Sequence, residues 1–245
     1  DGMPVALIIS HSGGPHLDAC LDALQGQSLA PTHIAVVFTG NQPTNLPPAI
    51  RVIQASINSY AFAVNLGIST FPNQDILLLN DDTIPTANFI EQLHTKAKHP
   101  AIYQPQIRLA FSPELLENAG HWLFADGFNF ARGRGQKAEK DLPPQPLVFS
   151  GAAVYLHREV IQKVGAFDED IGSFGEDVDW SLRAIRLGFS IMYVPQAIIY
   201  HELGASYGRG GSHKAYLVER NRIQAAFRSL PRRNLFWMPI YSSQR

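Results

Sequence analysis

At 245 residues the chain is long enough to bury a substantial core, as one large domain or two small ones. Its 20 basic and 21 acidic side chains leave a net charge of -1, without the basic excess of a dedicated nucleic-acid binder, so anionic substrates must be met locally by a metal or by loop amides. The single cysteine, Cys20, excludes an intramolecular disulfide; no apolar run reaches membrane-spanning length, and no basic region precedes the first one as in a signal peptide.

Residues 5–9 read as a buried strand and 17–24 as an amphipathic helix. Leu17, Cys20, Leu21 and Leu24 share one helical face, so Cys20 reads as a core residue rather than a nucleophile. Between them, Gly13-Gly14 could admit a phosphate to backbone amides, but without the G-x-G-x-x-G spacing of dinucleotide folds. Strands are expected over 34–38, 50–53 and 76–79, with helices over 60–68 and 88–98 and Pro100 as a stop. This alternation implies an α/β fold: a largely parallel sheet with helices on both faces. The rhythm breaks over 103–149, where Gly, Pro and charge increase and 128–141 reads as a surface loop or loose hairpin. A strand over 148–156 and a helix over 158–164, ended by Gly165, resume it. Val178, Leu182, Ile185 and Phe189 mark a further helix, Pro195 splits two short strands at 191–194 and 198–200, and 216–230 reads as helical.

Two acidic clusters stand out. Asn80-Asp81-Asp82 ends an apolar strand pattern, where ligands of open α/β sheets bind. Residues two apart on a strand point the same way, so Asn80 and Asp82 can face one hard cation such as Mg²⁺ or Mn²⁺; the sequence also suits a simple turn. Glu176, Asp177 and Asp179 open a helix after a glycine-loosened loop. Ser173 and Glu176 have capping-box spacing, and Asp179 and Arg183 have the spacing of a surface pair, which leaves Asp177 for general-base chemistry on a hydroxyl. His201 follows a short strand and reads either as structural or as a metal ligand. Arg132, Arg134, Arg209 and Lys214 read as solvated charges or as groups that close over a diphosphate. Arg232-Arg233 before Phe236-Trp237-Met238 reads as a packed tail or a segment touching lipid.

Taken in succession, these motifs resemble the inverting family 2 glycosyltransferases of the GT-A fold, especially rhamnosyltransferase-like members. Leu77 through Pro85 resembles the strand-borne DXD variant. Ser150-Gly151-Ala152-Ala153 with Val164-Gly165-Ala166-Phe167-Asp168-Glu169 resembles the acceptor-side signature. Phe174 to Arg183 resembles the Glu-Asp-x-Asp helix, and Val194-Pro195, His201 and Tyr216 to Asn221 complete the order. The resemblance implies a Rossmann-like nucleotide-diphospho-sugar transferase fold, a mostly parallel mixed sheet flanked by helices, in a single domain over 1–245. Residues to about 100 would form its nucleotide-sugar-binding half, and the rest its acceptor-binding and catalytic half. It assigns catalysis to Asp177 with Glu176, and metal (Mn²⁺ or Mg²⁺) to Asp82 and His201. Nucleotide-sugar contacts fall to Ser10, Asn41, Asn65, Asn80, Asp81 and Gly151. Residues 120–141 resemble the loop that adapts to donor and acceptor. The implied partners are a nucleotide-diphosphate sugar, with rhamnose as the sugar, and a glycan or lipid-linked glycan acceptor. The implied setting is cytoplasmic, at the inner face of the membrane. The chain departs from the family at the end of its second strand, where Val37-Phe38-Thr39-Gly40-Asn41 has no aspartate for the base, and at Ser59, where a glycine is usual. A catalytically silent nucleotide-sugar binder and a paired-carboxylate glycoside hydrolase are the competing readings; a dinucleotide oxidoreductase is disfavoured by the missing glycine fingerprint.

Overall fold

The computed structural model describes residues 2–42, 46–139, 142–202, 212–229 and 234. In chain order its elements are β1 (Val5–Ser10), α1 (Pro15–Gln25), β2 (His33–Phe38), β3 (Arg51–Gln54), α2 (Tyr60–Thr70), β4 (Ile76–Asn80), β5 (Thr83–Pro85), α3 (Phe89–Lys96) and β6 (Ile102–Leu109). There follow β7 (Ser112–Asn118), β8 (His121–Leu123), β9 (Asn129–Ala131), β10 (Ala153–Leu156), α4 (Arg158–Val164), α5 (Glu176–Arg186), β11 (Ile191–His201) and α6 (Ser212–Ser229).

One sheet runs in the order β3-β2-β1-β4-β10-β6-β11-β5, with β7 added beside β6; β8 and β9 form a separate hairpin. The first four strands are mutually parallel, and β10 runs antiparallel to both β4 and β6. Strands buried on both faces need continuous apolar runs, and Val5-Ala6-Leu7-Ile8-Ile9 and Ile76-Leu77-Leu78-Leu79 supply them. Their side chains alternate between two cores. Ala6, Ile8, Leu77 and Leu79 pack with Leu17, Leu21, Phe89 and Leu93 of α1 and α3. Leu7, Ile9 and Leu78 pack on the other face with Val64 of α2 and Trp180 of α5.

Local chemistry fixes how the helices sit. A Cβ at Gly67 would lie 2.6 Å from Leu7 Cδ1, so glycine lets α2 approach β1 closely. Ser59, the departure noted above, caps α2 by accepting the Phe62 N–H. Trp180 stacks on Phe167 with centroids 5.2 Å apart and donates from Nε1 to Gly165 O at 2.9 Å, pinning α5 to the loop after α4.

Several expected elements change. The weakly patterned 103–149 region contains β6 to β9. Its period is hidden because β6 buries Gln104, Gln106 and Pro105, and satisfies the amides by hydrogen bonds instead of apolar contact: Gln104 Oε1 accepts the Ser150 N–H at 2.7 Å and Gln106 Nε2 donates to Ala138 O and Tyr193 Oη. The strand expected over 148–156 begins only at Ala153, after a turn at 151–152. The two strands around Pro195 are one strand, β11, with a register irregularity between Val194 and Ile198 that accommodates the proline. The helix expected over 88–98 is shorter, Phe89–Lys96. Arg209, Arg232, Arg233, Phe236, Trp237 and Met238 lie outside the described residues.

Candidate active site

A cleft of about 460 Å³ opens at the carboxyl ends of β1 and β4. Its wall contains Ser10, Asn80, Asp81, Gly151, Glu176 and Asp177, with His201 nearby on the same wall. Residues more than ninety positions apart in sequence meet here because β10 runs antiparallel to β4. The segment leading into β10 therefore lies beside the end of β4, where the Asn80 N–H donates to Ala152 O at 2.9 Å.

The first cluster is organised by strand ends. Ser10 Oγ donates to Asp81 Oδ2 at 2.5 Å and accepts the Gly13 N–H at 3.0 Å, linking the β1 turn to the acidic segment. Asp82 is buried and is not part of the cleft lining. His201 Nε2 is 3.1 Å from Asp82 Oδ1, and its Nδ1 is 2.7 Å from Glu117 Oε2; all three side chains are buried. Burial opposes the imidazolium, but the hydrogen bonds to Asp82 and Glu117 outweigh it and push His201 up to about 10. The ring thus bridges two carboxylates supplied by the β4–β5 turn and by β7.

The second cluster opens α5. The expected capping box is absent: the N-cap is Gly175, at φ 107°, with no side-chain cap, and Ser173 Oγ instead accepts the Tyr60 N–H. Gly175 satisfies two demands, since its φ is left-handed and a Cβ there would lie 3.1 Å from Asn221 Cβ. Phe174, just before it, also has a positive φ of 66°. Asn221 of α6 holds this corner by donating from Nδ2 to Ser173 O at 2.8 Å and Phe174 O at 2.5 Å. Asp179 pairs with Arg183 at 2.8 Å as its spacing suggests, but Asp179 is buried rather than at the surface.

Asp177 is only partly covered. Its Oδ1 accepts the Val178 N–H at 2.8 Å, while Oδ2 accepts a longer bond, 3.3 Å, from the Gly151 N–H. Glu176 is buried, with Oε2 lacking a partner among the described residues. Burial and then the Asp177 charge push Glu176 above the usual carboxylate range; burial also raises Asp177 against the opposing pull of His121. Tyr60 Oη donates to Gly151 O at 2.8 Å between the clusters. Burial and, after it, the charges of Glu176, Asp177, Asp82 and Asp81 all push this phenol up, so both acidic clusters act on one hydroxyl.

Two residues singled out by resemblance lie elsewhere. Asn41 is exposed and outside the cleft lining; Thr39 and His11 line that end instead, with His11 Nδ1 3.2 Å from Thr39 Oγ1. Asn65 is also outside the lining. Its amide donates to Phe167 O and Glu169 Oε1 and accepts the Phe167 N–H, which ties α2 to the loop after α4. His121, from the 120–141 loop, lines the cleft, and so do Glu117 and Asn118 at the end of β7. The sequence does carry a signal for them: Leu115-Leu116 followed by Glu117-Asn118 has the same apolar-then-polar form as Leu78-Leu79 followed by Asn80-Asp81.

Residues 7–226 match the family model described as glycosyltransferase like family 2. The chain belongs to this family. It is 26% identical over 251 residues to an N-acetylglucosaminyl-diphospho-decaprenol L-rhamnosyltransferase of Mycobacterium tuberculosis, covering 88% of this chain and 81% of that protein. A pre-mycofactocin glycosyltransferase of the same organism is 27% identical over 143 residues, 58% of this chain but only 30% of the relative, so the chain spans less than a third of that protein. Among solved structures, GalNAc-T7 with UDP, GalNAc and Mn²⁺ superposes with a TM-score of 0.70 at 12% identity, covering 91% of this chain and 48% of the other. The Pyrobaculum calidifontis mannosyltransferase PcManGT with GDP-Man and Mn²⁺ gives 0.59 at 14% identity, covering 100% and 71%. These likenesses are of fold, and the fold is that of the GT-A glycosyltransferases.

The family 2 fold raises the question of a metal. Among the described residues no three His, Cys, Asp or Glu side chains are arranged to hold an ion. The oxygen donors at the end of β4 nonetheless suit a hard cation: the Asp82 carboxylate and the Asn80 Oδ1, which is buried without a partner among the described residues, with the His201 ring reaching Asp82 from the end of β11. Mg²⁺-like ions are commonly bound by one or two protein ligands plus substrate phosphates. The residues therefore fit a cation that arrives with a diphosphate, not a preformed all-protein cage.

Proposed function

We propose that this chain is an inverting, metal-dependent glycosyltransferase that moves a sugar, with rhamnose as the leading candidate, from a nucleotide diphosphate to a hydroxyl of a glycan or lipid-linked glycan. The observation that carries the reading is the convergence of Asn80-Asp81 and Glu176-Asp177 on one cleft, with Tyr60 between them. Asp82 and His201, with Asn80, would hold Mn²⁺ or Mg²⁺, which when bound neutralises a departing diphosphate as a Lewis acid. Asp177 presents Oδ2 to the cleft and takes the proton of the acceptor hydroxyl as its oxygen attacks the anomeric carbon. The anomeric C–O bond to the diphosphate breaks with its electron pair on the leaving group, and configuration inverts. Burial makes Asp177 a stronger base than a free aspartate. Glu176, which burial and the Asp177 charge keep protonated, does not act as a second base. The nucleotide-binding role falls to the half built on β1 to β4, and the acceptor role to the half that follows.

The rhamnose assignment is supported by the mycobacterial rhamnosyltransferase relative, whose name gives N-acetylglucosaminyl-diphospho-decaprenol, a lipid-linked sugar, as its acceptor. No described helix is long and apolar enough to cross a membrane. The test is Asp177→Asn. Transfer should fall by about 10²–10⁴, while calorimetry shows the nucleotide sugar still binding. Near-normal turnover by this variant removes Asp177 from the mechanism. Donor binding without any turnover by the wild type, across a wide acceptor panel, favours a silent nucleotide-sugar module.

A further inference from the structure

The β8–β9 hairpin exposes three aromatic rings: Trp122 is 41% exposed, Phe124 51% and Phe130 51%. Trp122 and Phe130 are directly opposed in the ladder, so they project from the same face. Phe130 is also part of the cleft wall, with Asn129 beside it. This aromatic face therefore continues the cleft outward, on the side that also carries His121 and Arg134.

The ring of Trp122 is held in place at some expense. The Arg132 guanidinium lies 5.0 Å from the Trp122 ring centroid and 5.8 Å from that of Tyr193. Arg132 is completely buried and donates from Nη2 to Pro143 O, yet its Nε and Nη1 have no hydrogen-bond partner among the described residues. An unpaired buried donor is destabilising, and an aliphatic side chain could fill the same space without that penalty. What the guanidinium adds is a fixed plane for Trp122, because a cation held over one ring face orients the ring and leaves its remaining surface to a ligand.

We propose that Trp122 and Phe130 form a saccharide platform that seats a pyranose ring of the acceptor at the mouth of the cleft. The proposal rests on the glycosyltransferase reading for the identity of the acceptor, though not for the binding itself. A pyranose has a face of C–H bonds carrying partial positive charge and a rim of hydroxyls. Exposed aromatic faces carry the complementary partial negative charge. Asn129 and Arg134 line the cleft together with Phe130 and can meet the hydroxyl rim. A lipid chain needs neither a fixed aromatic plane nor a polar rim. Rigid aromatic side chains also lose little freedom on binding, which suits a weakly polar ligand face.

The test uses the whole protein without donor on a glycan array, followed by fluorescence titration of any glycan bound. Wild type, Trp122→Ala, Phe130→Ala and Trp122→Phe are compared after matched melting curves show that each is folded. Wild type should bind a subset of glycans, either alanine variant should weaken that binding by tenfold or more, and Trp122→Phe should retain most of it. Nucleotide-sugar affinity should be the same in all four. Equal glycan binding by wild type and both alanine variants overturns the platform. So does a wild type that binds no glycan, including one that binds anionic lipid vesicles through Trp122. Glycan binding that depends on Trp122, in a protein that never transfers a sugar, upholds the platform and defeats the catalytic reading instead.

Discussion

Asn221 is buried on α6 and holds Phe174 in a left-handed conformation, with its amide 2.5 Å from the Phe174 carbonyl and 2.8 Å from that of Ser173. A phenylalanine at φ 66° is strained, at a cost of about 1–3 kcal/mol, and such strain persists only where surrounding contacts over-determine it. Here the contacts come from a helix more than thirty residues further along the chain, and the corner they fix is the one that aims Asp177.

Asn221→Ala should therefore slow transfer by tenfold or more while leaving donor affinity within about twofold, because orientation of the base is lost but not the nucleotide site. Phe174→Gly should raise the melting temperature and recover part of the activity when combined with Asn221→Ala, since glycine adopts this conformation without strain. Steady-state kinetics on the single and double variants would show it; a double variant no better than Asn221→Ala alone would exclude the strain account.

Glu117 fixes the far side of the His201 ring at 2.7 Å. Carboxylates behind ligating histidines commonly contribute about 10–100-fold to metal affinity. Glu117→Ala is expected to weaken Mn²⁺ binding in the presence of nucleotide diphosphate by that range, and Glu117→Gln by less, because its carbonyl still accepts from Nδ1. Titration calorimetry without acceptor measures this independently of turnover. Unchanged Mn²⁺ affinity in Glu117→Ala would mean that His201 serves the fold alone.

Glu176 makes stability depend on pH. An unfolded glutamate titrates near about 4.3, and burial beside Asp177 raises the folded value. The folded state therefore holds more protons across the window between the two values, so stability is greatest below the lower one and declines as pH rises through the window. Glu176→Gln has no proton to lose there. Urea melts from about pH 4 to pH 9 should show the difference, wild type minus variant, becoming less favourable as pH rises. A flat difference would place the Glu176 proton elsewhere.

Asn65 closes three hydrogen bonds between α2 and the loop after α4. Asn65→Ala should reduce unfolding free energy by about 1–3 kcal/mol and leave nucleotide affinity unaltered. Loss of donor binding at unchanged stability would restore the nucleotide contact that family resemblance assigns to this residue.

Strands whose side chains face apolar surroundings on both sides were readable in the sequence: β1, β2 and β4 have little choice but to be central. Their carboxyl ends could be read with them, which located Asn80 through Asp82. β6 could not be read in this way, because Gln104 and Gln106 are buried by hydrogen bonds to partners 46 and 32 residues away, and no local period records such partners. The same holds for Glu117. Its importance comes from His201, 84 residues later. Capping-box spacing at Ser173 says nothing of backbone sign, and the glycine at 175 takes the cap position with φ 107°.

The reversed direction of β10 has a consequence for synthesis on the ribosome. Strands β1 to β4 are complete once residue 80 has emerged, but the open edge of β4 is paired only when Ala153–Leu156 arrives. For some seventy residues the nascent chain presents Ile76-Leu77-Leu78-Leu79 as an uncovered apolar border, a template for pairing with a neighbouring chain. An N-terminal fragment ending before Ala153 should accordingly associate with itself when expressed alone, and the intact polypeptide should depend on holdase chaperones during that interval.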